Sequence, residues 1–385
     1  MDDLTIGFEA KRAFTNRTGL GSYARFVIRT LGRRFPQHRY LIYTPDPRPA
    51  AGLAFLDGIP RAAVRTPPAV VRLAAAGALW RTFGLGRRAA RDGVRIFHGL
   101  SQELPRDLPA GGPVAVVTMH DMIAARYPDY FPAIDRRVYL QKARWSTRMA
   151  RIVVATSEQT GRDLSEFLGV PPEKIRVAYQ GTDPRFGVRL SAEAIDQVRR
   201  RHGLPEHYLL SVGTIEPRKN ALLLLRALAT LPPGERPFLV LVGRPTRYLR
   251  HLETFAHTAG LEGSWRVLTG VPAEDLPALY QGAGLFLYPS RFEGFGIPIL
   301  EALRSGVAVV TSTGSCFAEV GGAAARYLSP DDPEALADTI RSLLADRETR
   351  ERMVEEGFRQ ASRFDDDVLA DGLMNVYNEA LTCAT

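Results

Sequence analysis

The chain has 385 residues, 45% hydrophobic and 24% charged, with a net charge of +8. Such a length is more than one ordinary domain and fits two, with the composition of a soluble globular protein. Two cysteines, Cys316 and Cys383, exclude a disulfide framework, and no Cys/His cluster has zinc spacing. No apolar run approaches the roughly eighteen residues a membrane span needs. The acidic start Met-Asp-Asp-Leu lacks the features of a signal peptide, so a cytoplasmic protein is expected.

The charge is uneven. Residues 1–185 carry 29 Lys+Arg against 16 Asp+Glu, and residues 186–385 carry 21 against 26. The basic half is expected to face something anionic: nucleic acid, an acidic membrane surface or a phosphorylated lipid acceptor. An arginine-rich solvated surface is the plainer alternative.

Short apolar runs bounded by turn residues recur along the chain, separated by helix-length amphipathic stretches. They are Leu4–Phe8, Tyr40–Tyr43, Val94–Phe97, Val114–Met119, Ile152–Ala155 and Ile175–Ala178, then Tyr208–Val212, Phe238–Val242, Trp265–Leu268, Leu285–Tyr288, Val307–Thr311 and Arg326–Leu328. This alternation predicts parallel sheets covered by helices on both faces. Six runs in each half, with turn residues breaking the pattern near 181–206, predict two doubly wound domains rather than one barrel. The expected boundaries are 1–185, 186–365 and a closing segment 366–385, whose helix Val368–Leu381 docks back on the first domain. The ligands of such sheets bind outside the carboxyl ends of the strands.

Chemistry-bearing residues gather at those ends. After the first strand, Ala10 to Ser22 forms a long loop containing Gly19 and Gly21, before a helix Tyr23–Leu31. It has too few glycines for a dinucleotide fingerprint, and serves either a plain turn or the close approach of a phosphate. After the fourth strand, His120 and Asp121 read either as contacts to a sugar hydroxyl or as a structural pair. The second domain opens with Gly213-Thr214-Ile-Glu216-Pro217-Arg218-Lys219-Asn220. Adjacent Arg and Lys on a strand-to-helix loop suit a diphosphate, Arg forking onto two oxygens and Lys acting as a point charge. A solvated pair is the alternative. Arg244 and Val271 close the next two strands and line the same edge.

The most informative stretch is Glu293-Gly-Phe-Gly-Ile-Pro-Ile-Leu-Glu301, which follows the strand Leu285–Tyr288. Pro298 fits the first turn of a helix, whose free amides favour an anion, and Gly294 and Gly296 let it come close to the backbone. An anion site between two carboxylates suits phosphates at one end of a ligand and hydroxyls at the other, the form of a nucleotide sugar. A Glu that only complements the helix dipole is the alternative.

Together these elements resemble the family 4 retaining glycosyltransferases, over essentially the whole chain. The diagnostic part is Glu293 through Glu301, the family's Glu-x7-Glu element. It is supported by Gly19-Leu-Gly21, His120-Asp121, Pro217-Arg218-Lys219-Asn220 and the phrase Leu276-Pro-Ala-Leu-Tyr280-Gln-Gly-Ala283. The resemblance implies the GT-B architecture, two facing Rossmann-like domains with a deep cleft between them. It implies transfer of a hexose, with retained configuration, from a nucleotide sugar to a glycan or lipid-linked acceptor. By this resemblance Glu293, Arg218, Lys219 and His120 carry the chemistry, and Asp121 lies on the acceptor side. Gly19, Gly21, Gly213, Arg244, Val271, Gly294, Phe295, Gly296, Ile297 and Glu301 hold the donor, Glu301 on its ribose. No metal is expected, because Arg218 and Lys219 supply the positive charge, and no cofactor or nucleic-acid partner is expected either.

Two positions depart from the family pattern. Thr214 stands where many members have arginine, and Gln180-Gly181-Thr182-Asp183 replaces the usual Asn-Gly-x-Asp at the domain crossing. The Pro-Arg-Lys-Asn version resembles mannosyltransferases that use GDP-mannose. A nucleotide-sugar epimerase and a non-catalytic nucleotide-sugar sensor are the rival readings; a nucleic-acid binder would need stacking aromatics or a reading helix that the chain does not clearly show. The basic stretches Val70–Arg91 and Asp135–Arg151 suit either an anionic membrane surface, on the inner face of the cytoplasmic membrane, or helices packed on the core.

Overall fold

The computed structural model describes residues 3–16, 19–46, 53–68 and 74–382. Arg17 and Thr18 of the glycine-containing segment, 70–73 of the first basic stretch, and Cys383 lie outside them. The chain divides into two units, one of residues 1–181 with 364–385, the other of residues 182–363.

The first unit holds β1 (Thr5–Glu9), β2 (Arg39–Tyr43), β3 (Ala62–Arg65), β4 (Ile96–Gly99), β5 (Val114–Met119), β6 (Ile152–Ala155) and β7 (Ile175–Val177). All pair in parallel, in the order β3-β2-β1-β4-β5-β6-β7. The second unit holds β8 (Leu209–Val212), β9 (Leu239–Val242), β10 (Trp265–Leu268), β11 (Leu285–Tyr288), β12 (Val309–Ser312) and β13 (Ala325–Leu328), parallel in the order β10-β9-β8-β11-β12-β13. Both sheets thus follow the doubly wound order, reversing direction beside their first strand.

The central strands are continuous apolar runs because helices cover both faces. In the second unit, Leu224, Leu225 and Leu228 of helix Ala221–Thr230 pack with Leu336 and Ile340 of helix Pro333–Ala345 onto Leu239, Leu241, Leu285 and Leu287. Ser157 and Asp332 cap the helices Glu158–Leu168 and Pro333–Ala345 by accepting from the amides of Thr160 and Ala335.

Three local expectations change. Strand β3 was not expected: Ala-Ala-Val-Arg has one β-branched residue and lies half-buried at the sheet edge, so it lacks the apolar run of a central strand. The segment after β1 is not one long loop, since Lys11–Thr15 is a short helix and the next begins at Gly19 and runs to Arg34. Gly19 and Gly21 therefore sit in a helix's first turn. A Cβ on Gly21 would lie 1.9 Å from the Asn16 carbonyl oxygen, so only glycine allows this packing. The described part of the first basic stretch is two helices, Ala74–Phe83 and Leu85–Arg91, broken at Gly84.

Candidate active site

In the second unit the sheet reverses between β8 and β11, which brings the loops 213–220 and 289–296 side by side at the carboxyl edge. Pro217–Lys219 is a single 3₁₀ turn, and Asn220 leaves it in the left-handed conformation, φ 58°. Asn tolerates that region better than most residues. Its amide nitrogen donates to the carbonyls of Pro289 (3.2 Å) and Pro330 (2.8 Å), and the Arg291 amide donates to the Arg218 carbonyl (2.9 Å). The two loops are thereby stitched together.

Glu293 lies at the centre of this arrangement. Its Oε1 accepts from Lys219 Nζ and from Ser290 Oγ, both at 2.6 Å, and its Oε2 is 2.7 Å from Arg218. Arg218 also donates to the Phe292 carbonyl and to Glu216, each at 2.7 Å, while Lys219 reaches the Tyr288 hydroxyl at 2.8 Å. Burial pushes the Glu293 carboxyl up, but the Lys219 and Arg218 cations outweigh it and hold it at about 2. Burial likewise pulls Lys219 down, against the attraction of Glu293. The two cations expected to stand ready for a diphosphate are thus each paired with a carboxylate, as groups with little solvent contact require. Glu293 orients both.

Gly296, at φ 98°, starts the helix Ile297–Ser305 with Pro298 in its first turn. The opening amides of a helix have no intrahelical partner and face an incoming anion. Glu301 lies a full turn inside this helix, where it accepts from the Tyr280 hydroxyl at 2.9 Å. Burial raises its carboxyl to about 7, opposed by the Tyr280 hydrogen bond and reinforced by Asp183.

Several supporting groups were not singled out by their sequence signal. Ser315, itself at φ 51°, exchanges hydrogen bonds with the Glu293 amide (3.0 Å) and carbonyl (2.9 Å). The buried Cys316 thiol donates to the carbonyls of Glu293 (3.3 Å) and Phe295 (3.0 Å). Both follow β12, the neighbour of β11, so a turn of small residues after an adjacent strand was the available signal. Gly243 fits tightly as well: a Cβ there would meet the Gly213 carbonyl oxygen at 1.8 Å. Arg244 beyond it is exposed, and Val271 is half-buried after β10.

Gly19, Gly21, His120 and Asp121 belong to the first unit. His120 follows β5 and its Nε2 donates to the Leu100 carbonyl at 2.9 Å, which leaves Nδ1 as the acceptor of the neutral ring. Burial pulls its pKa down to about 4, the Leu100 hydrogen bond opposing. The Tyr23 ring lies edge-on to it, centroids 4.6 Å apart. Asp121 accepts from the Ile123 amide at 3.0 Å and so caps the next turn. Behind them Tyr23, Thr118, His98 and Tyr377 form a buried chain of hydrogen bonds of 2.8, 2.8 and 2.6 Å.

The family model described as Glycosyltransferase Family 4 matches residues 17–186, and the one described as Glycosyl transferases group 1 matches residues 194–360. The O-antigen chain mannosyltransferase B of Escherichia coli is 33% identical over 73% of this chain and 74% of its own. The chain belongs to the family 4 glycosyltransferases. The serotype-specific mannosyltransferase WbdA of E. coli is 27% identical over 70% of this glycosyltransferase, which spans only 34% of that longer relative. Among solved structures, that of Anabaena HepE with UDP and glucose superposes with a TM-score of 0.73 at 20% identity, covering 98% of this chain and 100% of the other. A Rickettsia africae glycosyltransferase gives 0.75 at 15% identity, covering 99% of each. At these identities the structures show the shared fold. The protein is a glycosyltransferase with the GT-B fold of two Rossmann-like parallel-sheet domains.

Proposed function

We propose that the enzyme transfers mannose from GDP-mannose to a hydroxyl of a glycan or lipid-linked saccharide, with retained anomeric configuration and without a metal ion. The observation that carries this is the carboxylate of Glu293 held between Arg218 and Lys219, beside the start of helix Ile297–Ser305, at the reversal point of the second sheet. Departure of a nucleoside diphosphate builds negative charge at the leaving oxygen. Preoriented cations and helix amides stabilise that charge without reorganising. Glu293 sets their geometry and contacts hydroxyls of the sugar, and Glu301 holds the ribose. Glu293 is fully engaged by cations and unsuited to act as a covalent nucleophile, which favours departure and attack on one face, the leaving phosphate taking the acceptor proton.

Mannose is supported by the E. coli relatives, named as mannosyltransferases. A thermal-shift screen of GDP-, UDP-, dTDP- and ADP-sugars tests the donor. A ligand at about 100 times its Kd adds about 2.7 kcal/mol. Stabilisation by GDP-mannose is expected, and a shift by another nucleotide sugar alone would replace the donor. Conversion of the donor without an acceptor would favour an epimerase, and turnover lost to EDTA and restored by magnesium would remove the metal-free step.

One element favours a membrane surface as the place where the acceptor is met. Helix Ala133–Met149 exposes Ile134 (78%) and Val138 (46%) together with Arg137, Arg144 and Arg148. Apolar anchors among arginines suit an anionic lipid surface, where a lipid-linked acceptor would lie.

A further inference from the structure

Strand β11 alternates. Leu285 and Leu287 join the leucine core of the second unit, so Phe286 and Tyr288 point to the opposite face. There they meet Tyr280 of helix Leu276–Gln281, which packs on helix Ile297–Ser305. Ring centroids lie 5.0 Å apart from Tyr280 to Phe286 and 6.0 Å apart from Phe286 to Tyr288. Phe186 closes the row edge-on to Tyr280 at 5.5 Å, and Phe317 does so at Tyr288 at 6.1 Å. All five residues are buried, at spacings typical of interacting aromatic rings.

The row carries two hydroxyls, one near each end, and each engages a different part of the site. Tyr280 donates to Glu301 Oε2 at 2.9 Å. Tyr288 accepts from Lys219 Nζ at 2.8 Å, and the same ammonium bonds Glu293 Oε1 at 2.6 Å and lies 5.1 Å from the Tyr288 ring centroid. Thr311 Oγ1 donates to the Tyr288 carbonyl at 2.8 Å, which fixes the strand end beneath it. Phenylalanine at both places would also continue the row. What the hydroxyls add is a grip on charged residues of the site.

We infer that Tyr280 and Tyr288 are positioning residues, with the aromatic row as a rigid base that sets how far Glu301 stands from Lys219 and Glu293. That this separation serves the ribose and the leaving phosphate of a donor rests on the function proposed above. Gly294 and Gly296 stand between the two glutamates, so the local chain does not by itself fix their separation. The row does, because β11 and two packed helices hold it.

Carbon NMR titration of the glutamate carboxyls in the ligand-free full chain tests this, the Glu301 signal being the one missing from Glu301→Gln. Calorimetry with GDP and UDP and steady-state kinetics with the accepted donor complete it. Tyr280→Phe takes a hydrogen bond from the charged form of Glu301, with Asp183 still beside it, so Glu301 should titrate at higher pH than in wild type. Nucleotide affinity at pH 8 should fall about tenfold, the loss of one charge-assisted contact. Tyr288→Phe should leave the Glu301 titration as in wild type and lower kcat about tenfold with little change in KM, since Lys219 acts on charge that develops in the transition state. Phe286→Leu keeps both hydroxyls but opens the row, and should move the titration upward and lower kcat together. It also decides the matter if Tyr280→Phe fails to fold. An unmoved titration in Tyr280→Phe, or a Phe286→Leu variant like wild type in both readouts, would overturn the inference. A wild-type chain that binds neither nucleotide and transfers no sugar would remove the proposed function, while the ligand-free titration would still decide whether the row holds Glu301. Nucleotide binding with an unmoved titration would remove the positioning role alone.

Discussion

Glu293, Arg218 and Lys219 act as a unit, so a substitution at one of them changes the others. On the proposed mechanism, Arg218→Ala or Lys219→Ala removes a charge-assisted contact to the leaving group, and kcat/KM measured with the accepted donor should fall roughly ten- to a hundredfold. Unchanged kinetics in both would remove the assignment. Each substitution also leaves Glu293 short of a partner, so the melting temperature should fall too. The Glu293 carboxyl, held at about 2, contributes stability that is present above its ordinary value of 4.5 and is lost as pH falls through 2. Glu293→Gln should therefore lose less stability over that acid range than wild type, as followed by circular dichroism. Glu301 behaves oppositely. Its carboxyl is raised to about 7, so it takes up a proton as pH drops through neutrality, and in its proposed role it would then cease to be a full acceptor for ribose hydroxyls. Nucleotide affinity, measured by calorimetry between pH 6 and 8, should rise with pH in wild type and be flat in Glu301→Gln.

At the scale of elements, the position of the loop carrying Arg218 and Lys219 depends on how closely β8 and β9 end beside each other. Gly243→Ala would drive a methyl into the Gly213 carbonyl, and the resulting shift should destabilise the protein by about 1–3 kcal/mol, the range for overpacking. Because residues 213–220 carry Arg218 and Lys219, the thermal shift by nucleotide should shrink together with the melting temperature. A melting curve and a nucleotide response both like wild type would show that the strand ends can part without consequence. The central strands were legible in the sequence because burial on both faces demands continuous apolar runs. Edge strand β3 was not, since a half-buried strand of alanines carries no such run. The glycine segment after β1 misled for a related reason. Gly19 and Gly21 look like loop residues, yet Gly21 is there because a helix start packs on the Asn16 carbonyl.

At the scale of the whole molecule, the final helix Asp366–Thr382 belongs to the first unit and completes its core. It packs on helix Gly19–Arg34, with Arg34 to Asp371 at 2.9 Å and Arg29 to Asp366 at 3.3 Å, and sends Tyr377 to His98. The His98 imidazole is pulled down to about 3 by burial and by His120 nearby, so it is neutral and depends on the Tyr377 hydroxyl. Tyr377→Phe should cost about 1–3 kcal/mol in urea denaturation, the cost of an unsatisfied buried group; a loss below a few tenths would mean that the chain of hydrogen bonds is replaced locally. If the basic helix Ala133–Met149 lies on a membrane, co-sedimentation with anionic vesicles should exceed that with neutral ones. It should drop in an Ile134→Asp, Arg137→Glu variant, and equal sedimentation with both vesicle types would end that proposal.

The sequence by itself determined that there are two doubly wound domains, and placed Arg218-Lys219 and Glu293 at the carboxyl ends of strands and Glu301 just inside the helix that follows. Apolar periodicity and the glycines, prolines and charges at turns are local signals, and they suffice for that. Partnership was decided only by tertiary structure. Glu293 meets Lys219 across 74 positions because β8 and β11 are neighbours although β9 and β10 come between them in the chain. The same reversal order lets Tyr280 reach Glu301, and Ser315 and Cys316 hold the Glu293 loop from the neighbouring strand. Crossover connections set which strand ends adjoin, so a cation that looks available in the sequence proves to be paired in the fold.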